Sequence, residues 1–120
     1  MTSIKFTIGD QTATGILFDN PTARDFASLL PITVDMYDLF GREKPGPLPR
    51  GLDVGGDRVF SYEVGDLSYW SPNRDIAIFY AADRQAIPSP GLIRLGRVET
   101  GLDTIAQAGD RFQLRIEALD

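Results

Sequence analysis

The chain has 120 residues, with 12 basic and 17 acidic side chains, and it contains neither cysteine nor histidine. The missing cysteine excludes disulfides and thiolate chemistry, and the missing histidine removes Ser–His and Cys–His pairs and the commonest metal ligand. No metal site and no cofactor are therefore expected, and any catalysis must use carboxylates, Lys, Arg, Tyr or positioning alone. With 42% hydrophobic residues, the chain is long enough for a single domain over residues 1–120.

The net charge of −5 argues against binding to duplex nucleic acid, which favours clustered Lys and Arg. No stretch is long and apolar enough to predict a membrane span, and residues 1–10 lack the apolar region of a signal peptide. These features predict a bacterial-type cytoplasmic protein that binds neither nucleic acid nor membranes. The oligomeric state stays open.

The first third of the chain predicts a β-hairpin, a helix and a third strand. Apolar and polar residues alternate over 4–8 and 12–18, with a Gly-Asp turn between them. A helix is expected over residues 21–30, because an Asn-Pro pair typical of a helix start precedes a single apolar stripe. Such a helix would cover one opening of a sheet. Residues 32–37 predict the next strand.

The middle of the chain begins with an irregular region. Residues 41–56 hold three prolines and five glycines, so they predict a long loop of the kind that is often functional or mobile. Glu43 and Lys44 are expected at the surface. Strands are predicted over 59–64 and 67–70.

The remaining predicted elements carry the most regular patterns. A strand over residues 75–82 contains a run that is apolar on both faces, which predicts burial between a barrel interior and a capping helix. Residues 91–98 predict a strand in which Arg94 and Arg97 point to opposite faces, one to solvent and one to an acidic partner. A short helix with Leu102, Ile105 and Ala106 on one side and a strand over 111–117 follow.

Eight short strands and two short helices at regular spacing favour a closed sheet, since closure removes the exposed strand edges. The predicted fold is therefore all-β: a closed antiparallel β-barrel of about eight strands with two short capping helices.

Several segments resemble cyclophilins. LGRV at residues 95–98 and GLDTI at 101–105 resemble the family's Phe-Gly-Lys/Arg-Val strand and Gly-Met-Asp-Val-Val helix. GDLSYW at 65–70 and IAIFY at 76–80 resemble its Gly-x-Leu-Ser-Met-Ala and Ser-Gln-Phe-Phe-Ile segments. The resemblance spans residues 21–107 and is to small bacterial and archaeal cyclophilin-like proteins of unassigned activity. It implies a cyclophilin-like barrel.

The resemblance also implies site residues. LPR at 48–50 resembles the family's Phe-His-Arg, so Arg50 would match the arginine that donates to the prolyl nitrogen during isomerisation. Phe79 would match one ring of the proline cage, with burial in the barrel core as its alternative. Leu92 stands where the family has a histidine, and the phenylalanine, methionine and glutamine of the family's loop are absent from residues 52–57. We therefore expect efficient isomerase activity to be lost, because such donors are worth about 2.7–4 kcal/mol each.

Tyr69 and Trp70 are neighbours on a strand and must point to opposite faces, so one is expected in the core and the other in a groove. The leading hypothesis is a binding protein whose groove near Arg50, Phe79 and residues 88–91 takes a small molecule or a proline-containing peptide. The predicted ligand-binding residues are Arg50, Tyr69, Trp70, Phe79 and Leu92, with Arg50 as the candidate catalytic residue. The alternatives are a residual peptidyl-prolyl isomerase that uses Arg50 and a protein-interaction module without a small ligand. Whether the protein is an enzyme stays open.

Overall fold

The computed structural model describes residues 1–83 and 85–119, which form nine β-strands and two short α-helices. In chain order the elements are β1 (Thr2–Ile8), β2 (Gln11–Leu17), α1 (Pro21–Ala27), β3 (Ile32–Tyr37), β4 (Glu43–Pro47), β5 (Arg58–Val59), β6 (Asp66–Trp70), β7 (Asp75–Phe79), β8 (Leu92–Thr100), α2 (Leu102–Ala106) and β9 (Arg111–Ala118). A 3-10 turn over Ser71–Asn73 links β6 to β7.

Eight strands form one antiparallel sheet in the order β3-β9-β1-β2-β8-β6-β7-β4, and the short β5 pairs with β8 beside this path. The sheet curls until its end strands, β3 and β4, face each other. A Cβ atom on Gly46 of β4 would lie 2.5 Å from the sulfur of Met36 and 2.6 Å from a methyl of Val34, both on β3. The expected all-β barrel of about eight strands with two short helices is confirmed, and it is nearly closed.

The barrel interior holds the inward-facing residues of the alternating strands, joined by residues from both helices. Phe26 of α1 and Ile105 of α2 are fully buried, so the apolar side of each helix packs on the core. The largest buried side chains of the strands in this core are Phe6, Tyr69, Ile4, Leu17, Met36, Leu67, Ile76, Ile78, Ile93 and Leu95.

Hydrogen bonds fix both ends of helix α1. The side chain of Asn20 accepts from the N–H of Ala23 at 2.8 Å and donates to the carbonyl of Arg94 at 2.9 Å, which ties the helix start to β8. The helix ends at residue 27 rather than 30, because the N–H of Leu29 bonds to the carbonyl of Phe26 in a tighter 3-10 turn.

The prediction of a loop over residues 41–56 is wrong for its first part, where β4 pairs with β7. Two prolines fit in this strand because β4 has a hydrogen-bonded partner on one side only, as an edge strand does. The rest of the segment is held by hydrogen bonds to other elements. The N–H of Gly56, for example, donates to the Thr22 hydroxyl of α1 at 3.1 Å.

The surface positions expected for Glu43 and Lys44 are also wrong, since the two residues are 7% and 2% exposed. The Lys44 ammonium donates to the carbonyl of Gly109 at 2.8 Å and pairs with Asp38 at 3.1 Å. A charged side chain can be buried here because a charge and a carbonyl meet it.

Strand β7 is buried on both faces, as its sequence predicts, but neither helix of the described residues covers its outer face. Ile76 and Ile78 point into the barrel, whereas Ala77 and Phe79 join a second apolar cluster outside it. Loop residues, including Ile87, cover this cluster. The expected capping helix is therefore wrong at this position.

The two arginines of β8 lie in different environments, one beside an acidic partner and one in solvent, as the sequence predicts. Arg94 pairs with the buried carboxylate of Asp66 at 2.9 Å, and the side chain of Arg97 is 53% exposed. This prediction is confirmed.

Candidate ligand-binding site

A pocket of about 210 Å³ lies on the outer face of the barrel, over β4, β7 and β6. Most of its wall is apolar, and a few polar groups interrupt it. The lining residues are Tyr37, Leu39, Phe40, Arg42, Glu43, Pro45, Trp70, Asn73, Asp75, Ala77, Phe79, Ile87, Pro88 and Leu92. Pockets of this composition are typical of small-molecule sites.

Strand alternation brings the pocket residues of β7 to one face. Asp75, Ala77 and Phe79 are two residues apart, so all three point outward while the isoleucines between them point inward. The sheet register sets Trp70 of β6 directly opposite Asp75 and Glu43 of β4 opposite Phe79. The strand pairing therefore places an acidic residue beside an aromatic one at both ends of the floor.

The apolar floor is well packed. The ring of Phe79 stacks on Tyr62 with centroids 4.1 Å apart and planes inclined by 20°. Phe79, Leu92 and Ile87 are 1%, 3% and 6% exposed, and Trp70 packs against them while staying partly open to the pocket. Phe79 is thus buried, but outside the barrel core.

A buried ion pair borders the pocket on the β4 side. The guanidinium of Arg42 donates from Nε to the Glu43 carboxylate at 2.8 Å and also from Nη2, and its Nη1 lies 3.4 Å from Asp83. The same group lies 5.4 Å from the ring centroid of Phe40 and 5.6 Å from that of Phe79. Burial raises the pKa of Glu43, although the positive charge of Arg42 opposes the rise.

Asp75 is the second buried acid of the pocket, with 8% of its surface exposed. No donor from residues 1–83 or 85–119 forms a hydrogen bond with its carboxylate, and burial raises its pKa. The pKa of Tyr37 is raised as well, first by burial and then by the negative charges of Asp75 and Glu43. Among the described residues, the lining of the pocket therefore holds two acidic side chains, Glu43 and Asp75, and one basic side chain, Arg42.

Phe40 stands at the rim of the pocket and is 70% exposed. It forms a tight turn with Gly41, and both residues have positive φ, 62° and 60°. Positive φ is uncommon for an aromatic residue and costs conformational energy, a feature that concentrates at ligand-binding segments.

The sequence profile described as the Cyclophilin-like family matches residues 6–117. The chain belongs to the cyclophilin-like family. The solution structure of a hypothetical protein from Archaeoglobus fulgidus is similar to this cyclophilin-like barrel, with a TM-score of 0.76 and 17% sequence identity. The alignment covers 98% of this chain and 95% of the archaeal chain, which shows a shared fold. No curated protein matches the chain.

Three of the five ligand-binding residues predicted for this cyclophilin-like protein line the pocket over β4, β7 and β6. Trp70, Phe79 and Leu92 meet there, together with Pro88 of the predicted loop. Tyr69 lies inside the barrel, and its hydroxyl accepts a hydrogen bond from the N–H of Leu52 at 3.1 Å. Of the two adjacent aromatics, Trp70 therefore faces the pocket and Tyr69 the core, as strand geometry requires.

Arg50 lies outside this pocket. Its guanidinium forms a bidentate pair with Asp25 of α1, at 3.0 and 2.9 Å, and donates to the carbonyl of Gly51 at 3.0 Å. The two bonds from Arg50 to Asp25, with the N–H of Asp53 at 2.7 Å, lower the pKa of Asp25 to about 2. The side chain of Arg50 is 47% exposed, and its role toward a ligand stays a prediction.

Sequence reasoning missed the polar residues of the pocket, chiefly Arg42, Glu43 and Asp75. For Asp75 a signal was present, because it has the same strand parity as Phe79 and must share its face. For Arg42 and Glu43 no signal existed, since the surrounding glycines and prolines predict a loop.

None of the helices in the described part of the chain has the length and apolar character needed to cross a membrane. Within the same residues, no three acidic side chains come together in a way that would hold a metal ion.

Proposed function

We propose that this cyclophilin-like protein binds a small molecule, or the end of a short proline-containing peptide, in the pocket over β4, β7 and β6. The observation that carries the proposal is the convergence of Trp70, Phe79 and Leu92 on one apolar pocket of about 210 Å³. An apolar wall with a few polar groups supports a ligand that is mostly apolar and oriented by hydrogen bonds.

The rim adds support. Phe40 exposes 70% of its surface beside the pocket, in a turn whose backbone is less favourable for an aromatic residue than for glycine. A ligand in the pocket would bury part of this ring and gain apolar contact from it.

The test uses the single tryptophan of the chain, Trp70, as a reporter inside the pocket. Proline-containing peptides and a panel of metabolites are titrated while Trp70 emission and the melting temperature are followed. We expect at least one ligand to change the emission saturably and to raise the melting temperature, because ligand at 100 times its Kd stabilises a protein by about 2.7 kcal/mol.

Two variants test where the ligand binds: one should block the pocket and the other is a control outside it. Ala77→Met extends a buried side chain that lines the pocket and should abolish binding, whereas Arg50→Ala should leave binding unchanged. Binding lost only in Arg50→Ala would move the site to Arg50. A complete lack of response, together with a mass that rises with concentration in light scattering, would support an interaction module instead.

Residual isomerase activity is tested on the same variants with a protease-coupled peptide assay. We expect no efficient isomerisation by either wild type or Arg50→Ala, because the Arg50 guanidinium already donates to Asp25 and Gly51. Clear activity that disappears in Arg50→Ala would establish the enzyme alternative.

A further inference from the structure

We propose that the ligand of the pocket carries a positive charge, held between the carboxylate of Asp75 and the indole of Trp70. This inference rests on the proposed binding function and assigns the chemical class of its ligand: a small organic cation, an ammonium or guanidinium group on an apolar body.

The sheet register creates the cation position. Asp75 and Trp70 are directly paired across β7 and β6, and paired residues of antiparallel strands point to the same face with Cβ atoms about 4.5–5.5 Å apart. A cation that contacts the carboxylate is therefore within reach of the indole face. Tryptophan is the aromatic side chain that attracts cations most strongly.

The missing partner of Asp75 distinguishes it from the other buried acids. Among the residues that the structure describes, three carboxylates are buried: Glu43, Asp66 and Asp75. Glu43 pairs with Arg42, and Asp66 pairs with Arg94 at 2.9 Å. Asp75 has no such cation within the described residues. A buried carboxylate without a cation beside it is costly, so a cationic ligand would supply the charge that the described residues do not.

Nearby positive charge is already engaged. Arg42 lines the same pocket, but its guanidinium is bound to Glu43 and lies 3.4 Å from Asp83. Burial raises the pKa of Asp75, and a bound cation would lower it again. The electrostatic gain from a cation is thus larger at Asp75 than at the neutralised Glu43.

The size of the pocket limits the cation. A cavity of about 150 Å³ accommodates benzene, so the pocket of about 210 Å³ has room for one ring or a short alkyl group plus the charged group. Apolar contact with Phe79, Leu92 and Pro88 would hold the uncharged part.

The experiment compares three probes that share a phenethyl group: phenethylamine, 2-phenylethanol and 3-phenylpropionate. Each is titrated into wild type, Asp75→Asn and a control variant, Asp10→Asn, with Trp70 emission and calorimetry as readouts. Asp10 is an exposed turn residue, so its variant makes the same change in net charge away from the pocket.

For wild type we expect the amine to bind about tenfold or more tightly than the alcohol, and the carboxylate not at all. Asp75→Asn should reduce the affinity for the amine to that for the alcohol and leave the affinity for the alcohol unchanged. Asp10→Asn should behave as wild type. If Asp75→Asn fails to fold, the comparison of amine and alcohol in wild type still decides the question.

Equal binding of amine and alcohol in wild type overturns the cation assignment and leaves the proposed binding function in place. An amine preference that persists in folded Asp75→Asn overturns the role of Asp75. If none of the three probes binds and the metabolite and peptide panel is also silent, the proposed function itself fails.

Discussion

Two acidic residues of this barrel, Asp25 and Asp75, have opposite environments. Asp25 on α1 receives two bonds from Arg50 and one from the N–H of Asp53, and its pKa falls to about 2. Asp75 in the pocket is buried without such donors in the described residues, and its pKa rises. Among the described residues, the partially exposed acid has several donors and the buried one has none.

The difference separates the structural role of Asp25 from the binding role that we propose for Asp75. The Asp25–Arg50 pair ties residues 50–53 to α1 and engages both terminal nitrogens of the Arg50 guanidinium in bonds within the protein. Among the described residues Asp75 receives no such bond, and it lines an apolar pocket, where an electrostatic contact is stronger than in water.

The largest expected effect comes from removing the cation that pairs with the buried carboxylate of Glu43. Arg42→Met removes the cation from a pair whose side chains are 8% and 10% exposed, and it leaves a buried carboxylate alone. We expect the free energy of unfolding to fall by about 3–5 kcal/mol, measured by urea denaturation at neutral pH. The double variant Arg42→Met/Glu43→Gln should recover much of this loss. A single variant that costs no more than the double one would contradict the buried-charge explanation.

The next effect comes from removing the charge of Asp75. Asp75→Asn keeps the shape of the side chain and removes the buried charge. We therefore expect the free energy of unfolding to rise by on the order of 1 kcal/mol at pH 7. Because burial raises the pKa of Asp75 in the folded state, the wild type recovers stability as the pH falls through that pKa. The advantage of the variant should therefore shrink toward about pH 4, as seen in urea curves at several pH values. A difference independent of pH would show that the charge is not its source.

The smallest effect on stability is expected at Asp25. The pKa of Asp25 is lowered in the folded state, so its contribution to stability is present at neutral pH and is lost as the pH falls from about 4 to about 2. Arg50→Ala should weaken this acid dependence of the melting temperature. Arg24→Ala, which removes a more exposed arginine next to Asp25 on α1, is the matched control and should retain the acid dependence of the wild type. Identical acid profiles for all three proteins would contradict the importance of the Asp25–Arg50 pair.

The barrel itself could be predicted because strand alternation and turn residues are local signals. They placed β1, β2 and β9 within one or two residues of their observed bounds. Alternation also put Phe79 on a buried strand, but it does not say which of two apolar faces is the barrel interior. That depends on the loop residues that cover the outer face, such as Ile87, and the alternation within β7 does not place them.

The electrostatics of the site could not be predicted for a related reason. Arg50 meets Asp25 across 25 positions of the chain, and Glu43 is buried because the following proline-rich segment pairs with β7 as an edge strand. Whether an acid is satisfied depends on every donor that reaches it, which only the folded arrangement determines. A composition rich in glycine and proline carries no information on that point.

The facing strands β3 and β4 have a consequence for local opening. Beyond the bridge between Leu39 and Glu43 at their turn, no hydrogen-bonded ladder joins them in the described part of the chain, and contacts around Gly46 hold them together. The barrel can separate there without breaking a ladder, so amide hydrogen exchange should be fastest along this line among the strands. Tyr37 and Glu43 flank the line and also line the pocket. A ligand in the pocket would contact residues of both strands and would oppose the opening of the barrel between them.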